Sequence, residues 1–261
     1  MENAHYFREK IASRETALGT CVTLIDPVVT EALSRVLDFV WIDTEHNPLS
    51  LERVLGHLLA TKGSHTTPIV RVPANDPVLI KPVLDIGAAG VIVPLVKSAD
   101  DVRLAVAACR YPPEGIRGFG PRRPSNYGAR GGPEFCQEAN REIITIVQIE
   151  QREALENIDA ILAVPGLTSI VIGPNDLAAS IGYTGQPWHP ANAEAIEMVL
   201  GRARAAGIPL GMAIADDPQL MARWIDKGVK WLSIAADYGL LMRAACELVD
   251  GVRKREVASG Q

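Results

Sequence analysis

Cysteine is scarce: Cys21, Cys109, Cys136 and Cys246 are the only four in 261 residues, and no two form a Cys-x-x-Cys pair. Neither a zinc site nor a disulfide framework is suggested, and the four read as small buried hydrophobes. Positive charge is not in excess either. The 26 Lys and Arg against 31 Asp and Glu leave a net charge of −5, so nothing would neutralise a phosphate backbone and nucleic acid is not an expected partner. No apolar run approaches the roughly 20 residues that span a bilayer. The opening stretch from Met1 to Lys10 is polar, without the apolar segment of a signal peptide. A membrane is therefore not an expected partner, and a cytoplasmic protein is expected. Aromatics make up only 5%, yet 48% of residues are apolar and 22% charged, enough to bury a full core and too apolar for disorder.

What the chain does have is a rhythm. Short β-branched runs recur along its length, most of them followed by a stretch of helical periodicity, the pattern of repeated βα units around a parallel sheet. Eight candidate strands stand out: Gly19 to Leu24, Phe39 to Asp43, Pro68 to Arg71, Gly90 to Pro94, Ile143 to Glu150, Ser169 to Gly173, Pro209 to Ile214 and Trp231 to Ala236. Several are continuously apolar, as strands covered on both faces should be. Asp26-Pro27, Asp76-Pro77 and Asp217-Pro218 each offer an N-cap followed by proline at the first helical position. Ser98 with Asp101 forms a candidate capping box, and Gly63, Gly87, Gly207 and Gly228 stand where helices should end. Eight units in this length predict a (β/α)8 barrel over residues 1–261 as one domain. A doubly wound open sheet is the alternative, and it more often uses five or six strands. The tail from Arg253 to Gln261 is expected to be loose. One stretch, Arg110 to Tyr127, is too rich in proline and glycine for a helix or central strand and reads as a functional loop.

Barrel chemistry sits at the C-terminal ends of the strands. There the sequence places Asp43-Thr-Glu-His46, Arg71, Gln148-Ile-Glu150 and Gly173-Pro-Asn-Asp176. Glu150 and Asp176 end successive strands, so both could reach one ion, and hard oxygen donors favour Mg²⁺, Mn²⁺ or Co²⁺. The competing reading makes Asp176 a helix cap. Asp43 stands three residues before His46, close enough to orient the imidazole as a general base; the competing reading is a structural histidine. Arg71 closes an apolar strand, where a guanidinium needs an anion, either a substrate or a structural partner.

These segments, together with Asn75-Asp76-Pro77, Asp85-Ile-Gly-Ala88 ahead of Val91-Ile-Val-Pro94, and Tyr111-Pro-Pro-Glu-Gly-Ile-Arg-Gly118, resemble the HpcH/HpaI aldolase family of metal-dependent class II pyruvate aldolases. The likeness runs in unbroken order over roughly residues 15–240. It implies a barrel of the phosphoenolpyruvate/pyruvate type whose last helix is exchanged between subunits, in a homohexamer built as a trimer of dimers. It implies Glu150 and Asp176 as metal ligands, Arg71 on the keto oxygen, His46 with Asp43 as a base acting through water, and Gln148 positioning the 2-keto acid. Gly173, Pro174 and Asn175 would border the substrate, and Asp85 would reach the site of an adjacent subunit. The implied activity is reversible cleavage of a 4-hydroxy-2-keto acid to pyruvate, or a related 2-keto acid such as hydroxypyruvate, and an aldehyde, through an enolate.

Two positions depart from the family pattern. Asn175 stands where relatives often carry a small residue, which puts the carboxylate contacts in question. Ala213 stands where some relatives carry a larger aliphatic residue, so the aldehyde pocket is expected to be more open and its occupant bulkier or more polar. Arg122 and Arg123 could hold an acceptor carboxylate or simply be solvated. Rival readings are a Schiff-base aldolase using Lys97, a CoA-ester lyase of the citramalyl or malyl type, and a barrel kept only as a binding module.

Overall fold

Each of the eight β-branched runs forms a strand in the computed structural model, which describes residues 3–214 and 216–259. The strands are β1 (Ala17–Val22), β2 (Phe39–Asp43), β3 (Thr67–Arg71), β4 (Gly90–Val93), β5 (Ile144–Ile149), β6 (Ser169–Ile172), β7 (Leu210–Ile214) and β8 (Trp231–Ala236). All are parallel, each pairs with the next, and β8 returns to β1 to close the barrel. The helices are α1 (Ala4–Ala12), α2 (Pro27–Leu33), α3 (Leu51–Ala60), α4 (Pro77–Asp85), α5 (Ala99–Cys109), α6 (Gly132–Glu142), α7 (Arg152–Glu156), α8 (Ile158–Leu162), α9 (Pro174–Ser180), α10 (Pro190–Ala206), α11 (Pro218–Lys227) and α12 (Asp237–Ser259).

Helix starts follow the local chemistry. Asp26, Asp76 and Asp217 accept backbone N–H bonds at the heads of α2, α4 and α11, each with proline just inside, and such caps contribute about 1 kcal/mol apiece. Ser98 and Asp101 satisfy each other's backbone in a full capping box. Gly207 and Gly228 end α10 and α11 in the left-handed conformation.

The period of two along each strand divides the core into two apolar clusters. Residues such as Val40, Ile42, Val70, Val91, Val147, Ile170 and Leu232 point outward against the helices. Phe39, Trp41, Ile69, Ile92, Ile144, Ile146, Val171 and Trp231 fill the barrel itself. One end of that interior is stoppered by α1, a helix that the polar opening sequence conceals. Ala4, Phe7 and Ile11 are its buried positions, and Phe7 meets Phe39 and Trp231 edge-on at 5.4 and 5.7 Å. Trp231 fits because its neighbour on β7 is Gly211, where a Cβ would lie 1.9 Å from the indole.

Several expectations are corrected. The segment expected to be loose continues α12 from Arg253 as far as Ser259, while Gly260 and Gln261 lie outside the described residues. Only Cys109 is buried; Cys21 and Cys136 are half-buried and Cys246, on α12, is exposed. The proline- and glycine-rich loop does not overhang the strand ends of its own barrel. Arg123 donates to Ile86 O and Leu58 O, at the C-terminal ends of α4 and α3. Those ends lie opposite the strand C-termini, because each helix returns the chain to the other end of the barrel.

Candidate active site

The same period that sends Phe39 and Trp41 inward also sends Asp43 inward, two residues further along β2 and just where the apolar filling stops. Arg71 follows Ile69 on β3 in the same way. Gln148 and then Glu150 follow Ile146 on β5, and Gly173 follows Val171 on β6. These residues meet at the open end around a cavity of about 370 Å³, which Asp43, His46, Arg71, Gln148, Gly173, Pro174, Asn175, Asp176 and Ala213 all line. The polar groups that meet at this end are deeply placed: Asp43, Gln148 and Glu150 are each 2% exposed and Arg71 7%.

Arg71 organises one side. Its Nε donates to Asp43 Oδ1 at 2.8 Å, its Nη1 lies 3.0 Å from Glu45 Oε2 and 3.5 Å from Gln148 Oε1, and the guanidinium sits 5.0 Å above the Trp41 ring. Burial would lower the arginine pKa, but the facing carboxylates of Asp43 and Glu45 outweigh it and the net direction is up. For Asp43, burial is likewise outweighed by the hydrogen bond from Arg71, and its carboxyl is held below the usual range. Glu45 is less compensated: burial raises its carboxyl despite Arg71, and its Oε2 has no partner in hydrogen-bond geometry.

Glu150 and Asp176 form the other side. Glu150 Oε1 accepts the backbone N–H of Leu95 at 2.7 Å, and its Oε2 accepts from Gln148 Nε2. Leu95 takes φ +58 just past β4, a strained conformation for a non-glycine residue that turns its amide toward the carboxylate. Burial first, then the negative charges of Asp176 and Glu45, push the Glu150 carboxyl up to about 7, against the pull of the Leu95 N–H and of Arg71. Asp176, in the first turn of α9, does not cap that helix: the N-cap residue is Gly173 and no side chain caps it. A Cβ on Gly173 would fall 3.2 Å from Glu150 Oε2 and 3.6 Å from Asp176 Oδ2. The missing side chain thus leaves a small space that two carboxylates share.

That space suits a divalent cation. Both donors are hard oxygens, their mutual repulsion is what a positive ion would relieve, and a site with two protein ligands keeps positions for water and a chelating substrate. Among the described residues no cluster of three or more His, Cys, Asp or Glu side chains offers a fuller ligand set.

One sequence expectation comes out differently, and other residues singled out from the sequence lie away from this cavity. Asp43 does not hold His46: its Oδ1 serves Arg71 and the Glu45 N–H, and its Oδ2 accepts Asn47 Nδ2 at 2.5 Å. The charged neighbour of His46 is instead Glu45, 3.8 Å from Nε2. Asp85 and the two loop arginines are absent from this cavity. Asp85 ends α4 and pairs with the buried Arg117 at 2.8 Å, and Arg123 lines a separate pocket beside Gly87 and Lys62. Lys97 is half-exposed, pairs with Glu153 at 3.3 Å and does not line the cavity. Glu45, Trp41 and the Leu95 N–H were not singled out from sequence. Glu45 stands inside the Asp-Thr-Glu-His motif and could have been found there, whereas the left-handed turn at Leu95 leaves no sequence signature.

Comparison with known proteins bears on this geometry. The family model HpcH/HpaI aldolase/citrate lyase matches residues 25–244. A 5-keto-4-deoxy-D-glucarate aldolase of Escherichia coli O9:H4 (strain HS) is 36% identical over 249 residues, covering 95% of this chain and 96% of that protein. Among solved structures, an HpcH/HpaI aldolase/citrate lyase family protein from Burkholderia cenocepacia J2315 superposes with a TM-score of 0.89 at 31% identity, covering 94% of this chain and 98% of that one. An HpcH/HpaI aldolase from Desulfitobacterium hafniense DCB-2 gives 0.87 at 30% identity, with coverages of 95% and 96%.

Proposed function

The chain belongs to the HpcH/HpaI aldolase/citrate lyase family, and from that premise we propose that it is a divalent-metal-dependent aldolase. It would reversibly cleave 4-hydroxy-2-keto acids into pyruvate, or a related 2-keto acid such as hydroxypyruvate, and an aldehyde. The observation that carries this reading is the pair Glu150 and Asp176 around the space at Gly173, beside a buried arginine and amide. Glu150 and Asp176 would hold Mg²⁺, Mn²⁺ or Co²⁺, which when bound supplies Lewis acidity at the donor's oxygens.

The chain's own groups do the rest. Gln148 and the backbone at Gly173, Pro174 and Asn175 orient the 2-keto acid. His46, acting through water, takes the proton of the C4 hydroxyl; the C3–C4 bond then breaks, its electron pair moving through C2 to the keto oxygen as the aldehyde forms. Arg71 Nη2, which makes no hydrogen bond among the described residues, donates to that oxygen as charge gathers there, a fixed-donor effect worth several kcal/mol. Its positive charge is already held in place by Asp43 and Glu45, so little reorganisation accompanies the reaction. Protonation at C3 completes pyruvate.

The half-exposed, ion-paired Lys97 argues against an imine route. A homo-oligomer with its last helix exchanged is part of the proposal, the hexamer being the expected form, with Asp85 contributed to a neighbouring copy. It is supported by α12, whose Leu241, Leu248 and Val252 are each more than half exposed along one helical stripe. The test is pyruvate release from a 4-hydroxy-2-keto acid by chelator-treated enzyme. Activity should be lost, then return with Mn²⁺, Co²⁺ or Mg²⁺, and Glu150→Gln or Asp176→Asn should abolish the return. Full turnover in either variant after chelation would refute it.

A further inference from the structure

The cavity has a second half that the donor chemistry does not use, and it carries no charged side chain. It is formed where β7, β8 and β1 meet: Ala213 and Ser233 are register partners on β7 and β8, with Cys21, Thr23, Ala236 and Tyr238 around them. Ser233 is 2% exposed, lines the cavity, and makes no hydrogen bond among the described residues. A hydroxyl that faces a cavity without a protein partner keeps both its donor and its acceptor capacity for a ligand or water.

The backbone beside it is built in an unusual way. The β1–β8 register shifts between Gly19 and Cys21, and Ala235 takes φ +71, with its carbonyl accepting from Thr20 Oγ1 at 3.0 Å. Strict alternation from Trp231 and Ser233 would point Asp237 into the barrel. The irregularity instead brings Ala236 to the cavity wall and turns Asp237 aside. There its carboxylate accepts from Thr23 N, Thr23 Oγ1, Leu24 N and Tyr238 N at 2.6 to 2.9 Å. Bulges at barrel rims re-aim side chains in this manner, and here the effect is to remove a negative charge from the wall. With its proton given to Asp237, the Thr23 hydroxyl retains only acceptor capacity toward the cavity. Among the described residues the guanidinium on the cavity wall, Arg71, belongs to the donor half.

We propose that Ser233 is a specificity-determining residue that binds a hydroxyl group of the aldehyde partner, and that this partner is a neutral hydroxyaldehyde rather than a charged or purely aliphatic one. The small side chain of Ala213 leaves room for that hydroxyl, and Thr23 and Tyr238 offer further hydrogen bonds to a polyol. The inference rests on the aldolase reading above and deepens it.

Aldol addition to pyruvate by the metal-supplemented enzyme tests it, with glyceraldehyde, propionaldehyde and succinic semialdehyde as alternative acceptors. The wild type should favour glyceraldehyde over propionaldehyde in kcat/KM by about tenfold or more. Ser233→Ala should shrink that ratio about tenfold, while Ser233→Thr, which keeps the hydroxyl, should retain it. Because each ratio is taken within one protein, partial misfolding of a variant cancels. An unchanged ratio in Ser233→Ala, or succinic semialdehyde outrunning glyceraldehyde in the wild type, overturns the proposal while leaving the aldolase reading intact. Failure of the wild type to exchange the methyl protons of pyruvate with deuterated water overturns the aldolase reading itself, and this inference with it.

Discussion

Replacing Glu150 by glutamine isolates the cost of confining two negative charges at the mouth of an ion-free barrel. Glu150 is 2% exposed, and its carboxyl rises from 4.5 to about 7, chiefly through burial. A carboxyl raised in this sense keeps its proton in the native state after the unfolded chain has released it, so linkage works against stability as pH increases. The penalty is absent below pH 4.5, accrues between 4.5 and about 7, and is complete above that. At about 1.4 kcal/mol per pH unit, the metal-free protein loses about 3 kcal/mol across the window, on the order of 5–10 °C in Tm for a chain of this size. Thermal unfolding in chelating buffer from pH 5 to pH 8 measures it. Glutamine does not titrate, so the wild type should lose about 3 kcal/mol relative to Glu150→Gln as pH rises, other groups cancelling in the difference. Added Mn²⁺ should abolish the slope in the wild type alone, because the ion binds the deprotonated carboxylate and releases its proton. Parallel curves for the two proteins, with and without Mn²⁺, would refute the reasoning.

Three further outcomes follow from particular contacts. Gly173→Ala places a methyl group 2.8 Å from Gln148 Nε2 and 3.2 Å from Glu150 Oε2, and should weaken Mn²⁺ binding by about 10–100-fold in calorimetry, with the circular dichroism spectrum unchanged; wild-type affinity would contradict the shared-space geometry. Phe7→Ala, which empties a fully buried position against Phe39 and Trp231, should cost about 3–5 kcal/mol in denaturant unfolding, and a loss below about 1 kcal/mol would show that α1 is dispensable. Leu248→Glu, on the exposed stripe of α12, should reduce the particle mass in light scattering; an unchanged oligomer would place the subunit contact elsewhere.

The fold was largely legible because its signals are local. Asp-Pro pairs start helices by capping alone, and continuous apolar triplets such as Val91-Ile92-Val93 need no long-range knowledge to read as covered strands. The candidate site was legible to the extent that strand parity decides it: Asp43, Arg71, Gln148 and Glu150 are simply the next inward positions after the barrel filling ends. What escaped depends on how separate segments meet. Asp43 was paired with His46 by proximity along the chain, but Arg71 and Asn47 reach its oxygens first. For the loop arginines the sequence left acceptor binding and solvation both open, and only the return path of α3 and α4 places Arg123 at the far end of the barrel. Helix α1 was invisible because three buried positions among polar neighbours leave little periodic signal, and a left-handed residue such as Leu95 or Ala235 has none.

The aromatic stopper formed by Phe7, Phe39 and Trp231 fills one end of the barrel and leaves the cavity at the other. On the proposed chemistry both reactants share that end, the keto acid against Gln148 and the aldehyde against Ser233, each 2% exposed. They lie side by side at one depth, so joining or parting them requires no passage of either through the wall of strands.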